Sequence, residues 1–185
     1  SFVLKPIDNR GGRGVFIISE EFVKKKLIGR EMHSNINHLK FNFENYFRQD
    51  SSYIISEKLE NCHDVDILCD NGDLVELIFR RRLKTTLPND GHEIIHDQSI
   101  MENVKKICSI FKLNYLHDID FMLDNNGNFK LIEINPRLSG SAIISSYLGY
   151  KIFDNLIALA KNQYNFEFVT KLGKVFPEDL EKFYN

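Results

Sequence analysis

Residues 130–141, KLIEINPRLSGS, carry an acid, an amide and a guanidinium at alternate positions, Glu133, Asn135 and Arg137. Alternate side chains of an extended chain leave from the same face, so these three are predicted to point together, away from Ile132 and Ile134. A half-buried strand with a solvated outer face shows the same alternation. The strand pattern therefore leaves a chemical role and a solvated face both open.

The residues just upstream predict a β-hairpin. Two alternating runs flank the Asn-Gly pair at 126–127, a pair typical of tight primed turns. If these two residues form the turn, Asp120 lies directly opposite Glu133, and Asp118 lies opposite Asn135. Two carboxylates that face each other across a strand pair repel, unless one is protonated, water screens both, or a cation lies between them.

The oxygen donors of this hairpin suit a hard cation. Carboxylate and amide oxygens without His or Cys favour Mg²⁺ over Zn²⁺. We therefore predict a metal site at Asp120, Glu133 and Asn135. Because Mg²⁺ held by few protein oxygens usually shares its shell with phosphate, this site implies a phosphate site elsewhere in the chain.

A candidate phosphate site lies near the start of the chain, in a loop between two apolar runs. Its glycines allow torsions that turn consecutive N–H groups toward an anion, and Lys5 adds a positive charge before it. The loop residues are Gly11, Gly12, Arg13 and Gly14. It is not a Walker A loop, because no Gly-Lys-Ser/Thr opens a helix. A hairpin loop without a ligand has a similar composition, so the loop alone is a weak signal.

Together, the two sites resemble the ATP-grasp superfamily, in particular the ATP-binding modules of carbamoyl-phosphate synthetase large chains and related carboxylate–amine ligases. Four stretches carry the resemblance in the family's order: VLKPIDNRGGRGV, YIISEKLENCHDVDILCDNGDLV, FRRRLKTT and DIDFMLDNNGNFKLIEINPRLSGS. The acid on one strand followed by E-I-N-P-R on the next is the most specific of these. The resemblance runs from about residue 2 to about residue 149.

The resemblance implies nucleotide-binding roles for two further groups of residues. Lys5 and the loop are expected to contact the phosphates of ATP. The hinge between the two lobes is expected to bind adenine through a side chain and the main chain, and it corresponds to Glu57, Lys58 and Leu59.

The same resemblance implies metal and catalytic roles in the hairpin. Asp120, Glu133 and Asn135 correspond to positions that hold Mg²⁺ (or Mn²⁺) ions bridging the phosphates. Arg137 corresponds to the arginine that stabilises the transferred phosphoryl group or the acyl phosphate.

The run FRRRLKTT places Arg80, Arg82 and Lys84 on one face if the strand continues. Such a run is usually a solvated face or the protection of a sheet edge. In the context of the resemblance, we expect Arg80 and Arg82 to face the cleft and receive the transferred phosphate and the carboxylate substrate. Arg81 has the opposite phase and is expected to point toward the core.

The chain departs from the family pattern in two places. The acidic residue that can bind ribose in many members aligns with Cys62, and Glu60 and Asp64 are alternatives, so the ribose ligand stays open. An α/β domain and the first part of the grasp fold normally precede Lys5. We therefore expect an excised domain, a split subunit or a fragment that works with an N-terminal domain or partner chain.

Composition favours a compact cytoplasmic protein. The 185 residues are 43% hydrophobic, enough for one domain or two small lobes. A net charge of -2 argues against nucleic acid as the main partner. No run of this sequence is long and apolar enough for a membrane span, and we expect no signal peptide. Cys62, Cys69 and Cys108 form no Cys-x-x-Cys pair, which favours a reducing compartment.

The predicted elements mix strands and helices without a βαβ repeat, so the expected fold class is α+β. Strands are predicted at residues 2–6, 14–18, 53–57, 65–70 and 74–83. Helices are predicted at residues 20–28 (N-cap Ser19), 38–48, 99–111 (capping box from Ser99 to Glu102), 142–148, 153–161 and 177–183. HEIIH at 92–96 matches a zinc-protease pattern but follows a Pro-Asn-Asp-Gly turn, so a loop or short strand is predicted.

The resemblance implies an ATP-grasp fold of two lobes with antiparallel sheets and flanking helices. Residues 1–57 are expected to form the N-terminal lobe with the phosphate loop, and residues 58–185 the C-terminal lobe with the metal site, the nucleotide lying between them. The expected function is an ATP-dependent ligase that activates a small-molecule carboxylate as an acyl phosphate for attack by an amine or thiol. The alternatives are a nucleotide-binding module without catalysis, part of a larger enzyme, or kinase-like phosphoryl transfer.

Overall fold

The computed structural model describes residues 1–7, 14–20, 26–28, 31–34, 52–83, 91–176 and 179. The chain divides into two compact units, Ser1–Leu59 and Glu60–Asn185. Each unit contains one β-sheet, and the described helices belong to the second unit. Strands and helices alternate irregularly, which confirms the predicted α+β class.

The first unit contains a five-stranded sheet. Its strands are Phe2–Pro6 (β1), Phe16–Ile18 (β2), Lys26–Ile28 (β3), Glu31–Ser34 (β4) and Tyr53–Glu57 (β5), in the order β3-β4-β2-β1-β5. β1 is antiparallel to both β2 and β5, whereas β2 and β4 run parallel. A small core of Leu4, Phe16 and Ile18 stabilises this sheet.

The helix predicted at residues 20–28 is wrong at its C-terminal end, because Lys26–Ile28 pairs as a strand with β4. The Ser19 N–H donates to the Ser34 carbonyl (2.9 Å), which ties this part of the chain to the sheet. Sheet pairing therefore overrides a local helix signal. Residues 21–25 and the helix predicted at 38–48 lie outside the described residues.

The second unit contains a six-stranded antiparallel sheet with the order β10-β9-β6-β7-β8-β11, whose strand bounds follow. They are Glu60–Asp70 (β6), Asp73–Arg82 (β7), His92–Ile95 (β8), Tyr115–Leu123 (β9), Phe129–Asn135 (β10) and Gly173–Val175 (β11). The described helices are Gln98–Phe111 (α1), Ile143–Tyr147 (α2) and Ile152–Ala160 (α3).

The two faces of this sheet differ in chemistry. One face is apolar and packs on α1 through residues such as Val65, Ile119 and Phe79, together with Val104 and Cys108 of the helix. On the other face, Leu68, Ile78 and Ile94 pack beneath α2 and α3. The remainder of that second face carries the acids and arginines of the candidate site.

The hairpin between β6 and β7 has a two-residue turn, Asn71 and Gly72. Asn71 and Gly72 both have positive φ, 50° and 94°, as the type I′ turn requires. Asp70 pairs directly with Asp73 across it. Any side chain at position 72 would be strained, because residues other than glycine rarely adopt this φ.

The hairpin between β9 and β10 has a longer turn than predicted. The Asp124 N–H donates to the Asn128 carbonyl (3.0 Å), which leaves three residues in the turn, the last being Gly127 with φ 78°. The Asp124 carboxylate stabilises this turn by accepting from the N–H groups of Asn126 and Asn128, both at 2.9 Å.

A β-bulge restores the predicted pairs further along this hairpin. Beside the turn the register is shifted by one residue, and the shift ends between Leu131 and Glu133. Beyond the bulge, Asp120 pairs with Glu133 and Asp118 with Asn135, so both predicted pairs are confirmed.

The N-cap of α1 is Asp97 rather than the predicted Ser99. The Asp97 carboxylate accepts from the N–H groups of Ser99 (2.8 Å) and Ile100 (3.1 Å). The helix therefore begins at Gln98, and Glu102 accepts from the Gln98 side chain (3.3 Å) instead of closing a capping box.

This difference gives a direct test of helix capping. We expect Asp97→Ala to lower the free energy of unfolding by about 1 kcal/mol, because two N–H groups lose their acceptor. Ser99→Ala should cost less, since it leaves both of those bonds in place. Urea unfolding followed by circular dichroism measures both variants, and a larger loss for Ser99→Ala would contradict the assignment.

The strand predicted at 65–70 begins earlier in the structure, since β6 runs from Glu60 to Asp70, whereas the other predicted elements of the second unit agree within a residue or two. The helices predicted at 142–148 and 153–161 are α2 and α3, and HEIIH forms the short strand β8. Of the helix predicted at 177–183, only residue 179 is described.

Candidate functional site

Antiparallel pairing aligns charged residues in two rows on one face of the second sheet. The first row consists of Arg80, Asp64, Asp120 and Glu133, on β7, β6, β9 and β10 in turn. The second row consists of Ile78, Asp66, Asp118 and Asn135 on the same strands. We call the polar residues of these rows, together with Arg82 beside them, the acidic face: Arg80, Arg82, Asp64, Asp66, Asp118, Asp120, Glu133 and Asn135.

Asp66 was not among the predicted site residues, and Asp64 was predicted only as an alternative ribose ligand. A signal was present, because HDVD in β6 repeats the spacing of HDID in β9. Acids two residues apart on one strand share a face of the sheet, and the register of β6 and β9 places both pairs on the same face. The two motifs therefore bring four carboxylates together, and β10 adds a fifth.

Arg80 is the most buried charge of the acidic face, with a side chain 0% exposed. Its guanidinium forms an ion pair with Asp66. It also donates to the hydroxyls of Ser139 (2.6 Å) and Ser145 (2.9 Å). The Ser139 N–H in turn donates to Asp66 (3.0 Å), so the pair holds the loop that follows Arg137 against the sheet.

This burial corrects the expectation that Arg80 faces an open cleft. Its guanidinium is enclosed by the sheet, the loop and α2, and offers no surface to a substrate. The expectation that Arg81 points toward the core is wrong too. Its side chain points outward, is 49% exposed and pairs with Glu93. Strand phase correctly separated Arg81 from its neighbours, but it could not show which face was covered.

Arg82 lies closer to the surface of the acidic face, with a side chain 24% exposed. Its guanidinium binds Asp64 with two N–H groups, one of them Nε at 2.9 Å, and its Nη2 lies 3.7 Å from Asp120. Burial raises the pKa of Asp64, but the hydrogen bond and charge of Arg82 outweigh it and hold that pKa below its usual range. Asp64 is therefore a satisfied anion.

Asp118 and Asp120 differ from Asp64, because the pKa of each is raised instead of lowered. Burial, then the charges of Asp66 and Asp64, raises the pKa of Asp118 to about 7. Burial, then the hydrogen bond and charge of Asp64, raises the pKa of Asp120 to about 8. Among the described residues, neither Asp118 Oδ1 nor Asp120 Oδ1 has a hydrogen-bond partner, although both atoms are buried. The acidic face thus carries repulsion that a cation would relieve.

Asn135 and Arg137 close one end of the acidic face. The Asn135 amide nitrogen lies 3.1 Å from Glu133 Oε1 and 3.5 Å from Asp118 Oδ2. Arg137 follows the strand and is 61% exposed, with Nη1 3.6 Å from Asp118 Oδ2 and donating to the Leu138 carbonyl (2.8 Å). Its guanidinium therefore has solvent access, unlike that of Arg80.

These residues fit a divalent cation with oxygen ligands. Asp120 and Glu133 are paired across adjacent strands, and Asn135 adds an amide oxygen. A cation there would also offset the negative charge of the buried Asp118 and Asp120 Oδ1 atoms, which have no hydrogen-bond partner among the described residues. Cys62 also lies near Asp64 and Asp120, with one ligand atom of each within 4.8 Å of the others. Burial raises the pKa of the Cys62 thiol to about 12, and sulfur is not a ligand that Mg²⁺ prefers.

The predicted nucleotide-contacting residues belong to the first unit. Lys5 is half-buried on β1, and Gly14 is exposed with φ 72°. Glu57 ends β5 and is exposed, and Lys58 and Leu59 follow it, half-buried. Gly11, Gly12, Arg13 and Lys84 lie outside the described residues.

Within the part of the chain that the structure describes, every helix falls short of the length and apolarity that crossing a membrane requires.

Comparison with protein families identifies the class. Residues 50–176 match the family described as ATP-grasp in the biosynthetic pathway with Ter operon. This match covers more than half of the chain and includes the whole acidic face, so the chain belongs to that ATP-grasp family. The resemblance predicted from the sequence is therefore confirmed at the level of the superfamily.

Solved structures show the same fold at low identity. Biotin carboxylase from Campylobacter jejuni, in a β-γ-ATP complex, superposes with a TM-score of 0.60 at 18% identity over 94% of this chain and 40% of its own. The biotin carboxylase domain of Hydrogenobacter thermophilus 2-oxoglutarate carboxylase, with MgADP and bicarbonate, has a TM-score of 0.60 at 18% identity. The match covers 96% of this chain and 38% of that domain. N5-carboxyaminoimidazole synthetase from Staphylococcus aureus, with ADP, has a TM-score of 0.59 at 15% identity. The match covers 93% of this chain and 43% of the synthetase.

The chain spans roughly two fifths of the length of these proteins. Among curated proteins, none matches the chain. At these identities the likeness establishes the fold, and the substrate has to be argued from the site itself.

Proposed function

We propose that this chain is the Mg-ATP-binding module of a ligase that activates a carboxylate as an acyl phosphate for attack by an amine-type nucleophile. One observation supports it above the others: Asp120 and Glu133 form a direct pair on adjacent strands, beside Asn135, in a chain of the ATP-grasp family. A purely structural sheet face has no reason to place these carboxylates together.

The proposal assigns the residues of the acidic face to separate tasks. Asp120, Glu133 and Asn135 would hold Mg²⁺, which when bound neutralises charge on the triphosphate. Arg137, exposed at the end of β10, is suited to bind the transferred phosphoryl group. Arg82 neighbours Asp120 and already binds Asp64, which orients its guanidinium along the acidic face.

Lys5 and the glycine loop, with the hinge residues Glu57, Lys58 and Leu59, are proposed to contact the nucleotide. This part of the proposal rests on the order of motifs in the sequence. Arg80 is assigned no contact with substrate, because its side chain is fully buried.

The proposed reaction needs no side-chain nucleophile. A substrate carboxylate oxygen attacks the γ-phosphorus, the bond from that phosphorus to the β–γ bridging oxygen breaks, and ADP leaves. The nucleophile then attacks the acyl carbon and inorganic phosphate departs with the acyl-oxygen electron pair. The chain contributes positioning and electrostatic stabilisation, which account for most of the rate enhancement in phosphoryl transfer.

Calorimetry combined with product analysis tests this proposal. We expect saturable heat when Mg-ATP is added, and ADP release once a panel of carboxylates and amines includes the true pair. Heat without ADP under every combination would instead support a nucleotide-binding module that lacks catalysis. A chain that binds neither Mg-ATP nor Mg-ADP would contradict the proposal.

A further inference from the structure

Cys69 and Cys108 form a pair of thiols in the core of the second unit. Cys69 lies on β6, on the face of the sheet opposite the acidic face, and Cys108 lies in α1, which packs on that face. Their Sγ atoms are 3.2 Å apart, with the Cys69 S–H donating to Cys108, and both residues are 0% exposed. The proposed function uses neither of these residues.

The geometry of this pair is close to that of a disulfide. The S–S length of a disulfide is about 2.05 Å, so the two sulfur atoms need to approach each other by only about 1 Å. Modest rotations about the two Cα–Cβ bonds, within the width of a rotamer well, move each sulfur by about half of that distance. Cys62 has no such partner, because it lies on the other face of β6, beside Asp64 and Asp120.

The hydrogen bond between the two thiols gives them different reactivity. Because Cys108 accepts the Cys69 S–H, the pKa of Cys108 is lowered, although burial opposes this effect. The same hydrogen bond, followed by burial, raises the pKa of Cys69. Since the thiolate is the form that attacks an oxidant, Cys108 is expected to react first.

The pair lies near one end of the layer between the sheet and α1. Cys69 is the penultimate residue of β6, beside the turn at 71–72, and Cys108 lies in the last turn of α1. The Gly72 N–H donates to the Leu113 carbonyl (2.8 Å), so this turn covers the end of the helix. Helix ends fray and open locally, which gives a small oxidant a short path to both sulfur atoms.

We propose that Cys69 and Cys108 are a site of reversible oxidation, at which a hydroperoxide converts the two thiols into a disulfide that links β6 to α1. The Cys108 thiolate attacks a peroxide oxygen, the O–O bond breaks, and the departing alkoxide or hydroxide takes up the proton that Cys108 released. The Cys69 sulfur then attacks the sulfur of the Cys108 sulfenic acid, the S–O bond breaks, and the oxygen leaves as water with the Cys69 proton. The two sulfur atoms together lose two electrons, and the peroxide gains them.

Treatment of the folded wild-type chain with hydrogen peroxide, without denaturant, tests the proposal. We expect a monomer that has lost two hydrogens by mass spectrometry, with the Cys69 and Cys108 peptides joined and Cys62 still open to alkylation after unfolding. Dithiothreitol should restore both thiols. Because the link joins residues 39 positions apart, the thermal midpoint of the oxidised chain should rise by at least about 5 °C.

Two variants serve as controls for the cross-link. Cys62→Ala should form the same link as the wild type, whereas Cys108→Ala should form none and show no rise of the midpoint. Should Cys108→Ala not fold, the peptide map of the wild type still identifies the link.

Three results would overturn the proposal. The first is a folded wild-type chain that keeps all three thiols in peroxide, and the second is a disulfide that involves Cys62. The third is a link between Cys69 and Cys108 that lowers the thermal midpoint, since the two sulfur atoms would then meet only in a distorted fold. None of these results bears on the proposed function, because the pair lies on the opposite face of the sheet from the acidic face.

Discussion

Glu133→Gln is expected to abolish Mg-ATP-dependent turnover, with a loss of at least about 10²–10³-fold, and to leave the fold intact. The substitution keeps the shape of the side chain and removes the charge that faces Asp120. Glu133 is exposed, so the folded chain gains no buried unsatisfied group from the change. ADP release measures turnover, and calorimetry with Mg-ATP measures binding, which should weaken at the same time.

The matched control is Glu102→Gln, an exposed acid on α1 that lies on the opposite side of the sheet from the acidic face. It should turn over and bind Mg-ATP like the wild type. Turnover that survives Glu133→Gln would show that the metal assignment is wrong, whatever the control does.

Arg80→Met is expected to lower the free energy of unfolding of the second unit by about 3–5 kcal/mol, because it leaves Asp66 as a buried charge without its partner. It also removes the two hydroxyl contacts that hold the loop after Arg137. Urea unfolding gives the free energy, and hydrogen exchange of peptides from β6 and β7 assigns the loss to this sheet.

Arg81→Met is the control for that experiment. Arg81 is the next residue on the same strand, but its pair with Glu93 is largely solvent-exposed, so the substitution should cost no more than about 1 kcal/mol. The double variant Arg80→Met with Asp66→Leu removes both buried charges and should recover part of the loss. Equal costs for Arg80→Met and Arg81→Met would contradict the buried network.

The pairing of the proposed metal-binding residues could be predicted from the sequence, although the predicted turn was wrong. The Asn-Gly pair suggested two turn residues, whereas Asp124 stabilises three. The β-bulge before Glu133 compensates for the extra residue. The pairs predicted from a two-residue turn are therefore the ones observed beyond the bulge. Burial of the opposite face of the sheet fixes this register, and the turn adapts to it.

The burial of Arg80 could not be predicted from its strand. Its cover comes from α2 and from the loop that carries Ser139, 59 residues further along the chain. Arg80 and Arg82 have the same type and phase, yet one is enclosed and the other reaches the surface. Long-range packing, which no local pattern encodes, decides between a substrate-binding arginine and a structural one.

The strand at Lys26–Ile28 shows the same limit in the first unit. Two acids after Ser19 gave a local helix signal, but pairing with β4 determines the structure at the end of that segment. The cap of α1 differs for a simpler reason. Asp97 and Ser99 are both good N-cap residues, and the sequence offered no means of choosing which of them the chain geometry would use.

The central claim is that Asp120 and Glu133 lie together because a nucleotide-bound divalent ion sits between them. A crystal structure of the chain grown with Mn²⁺ and β,γ-imido-ATP, with anomalous diffraction data, tests it most directly. We predict an anomalous peak within coordination distance of both carboxylates and of a phosphate oxygen of the nucleotide. Bound nucleotide with manganese elsewhere, and these two carboxylates without a metal ligand between them, would contradict the account.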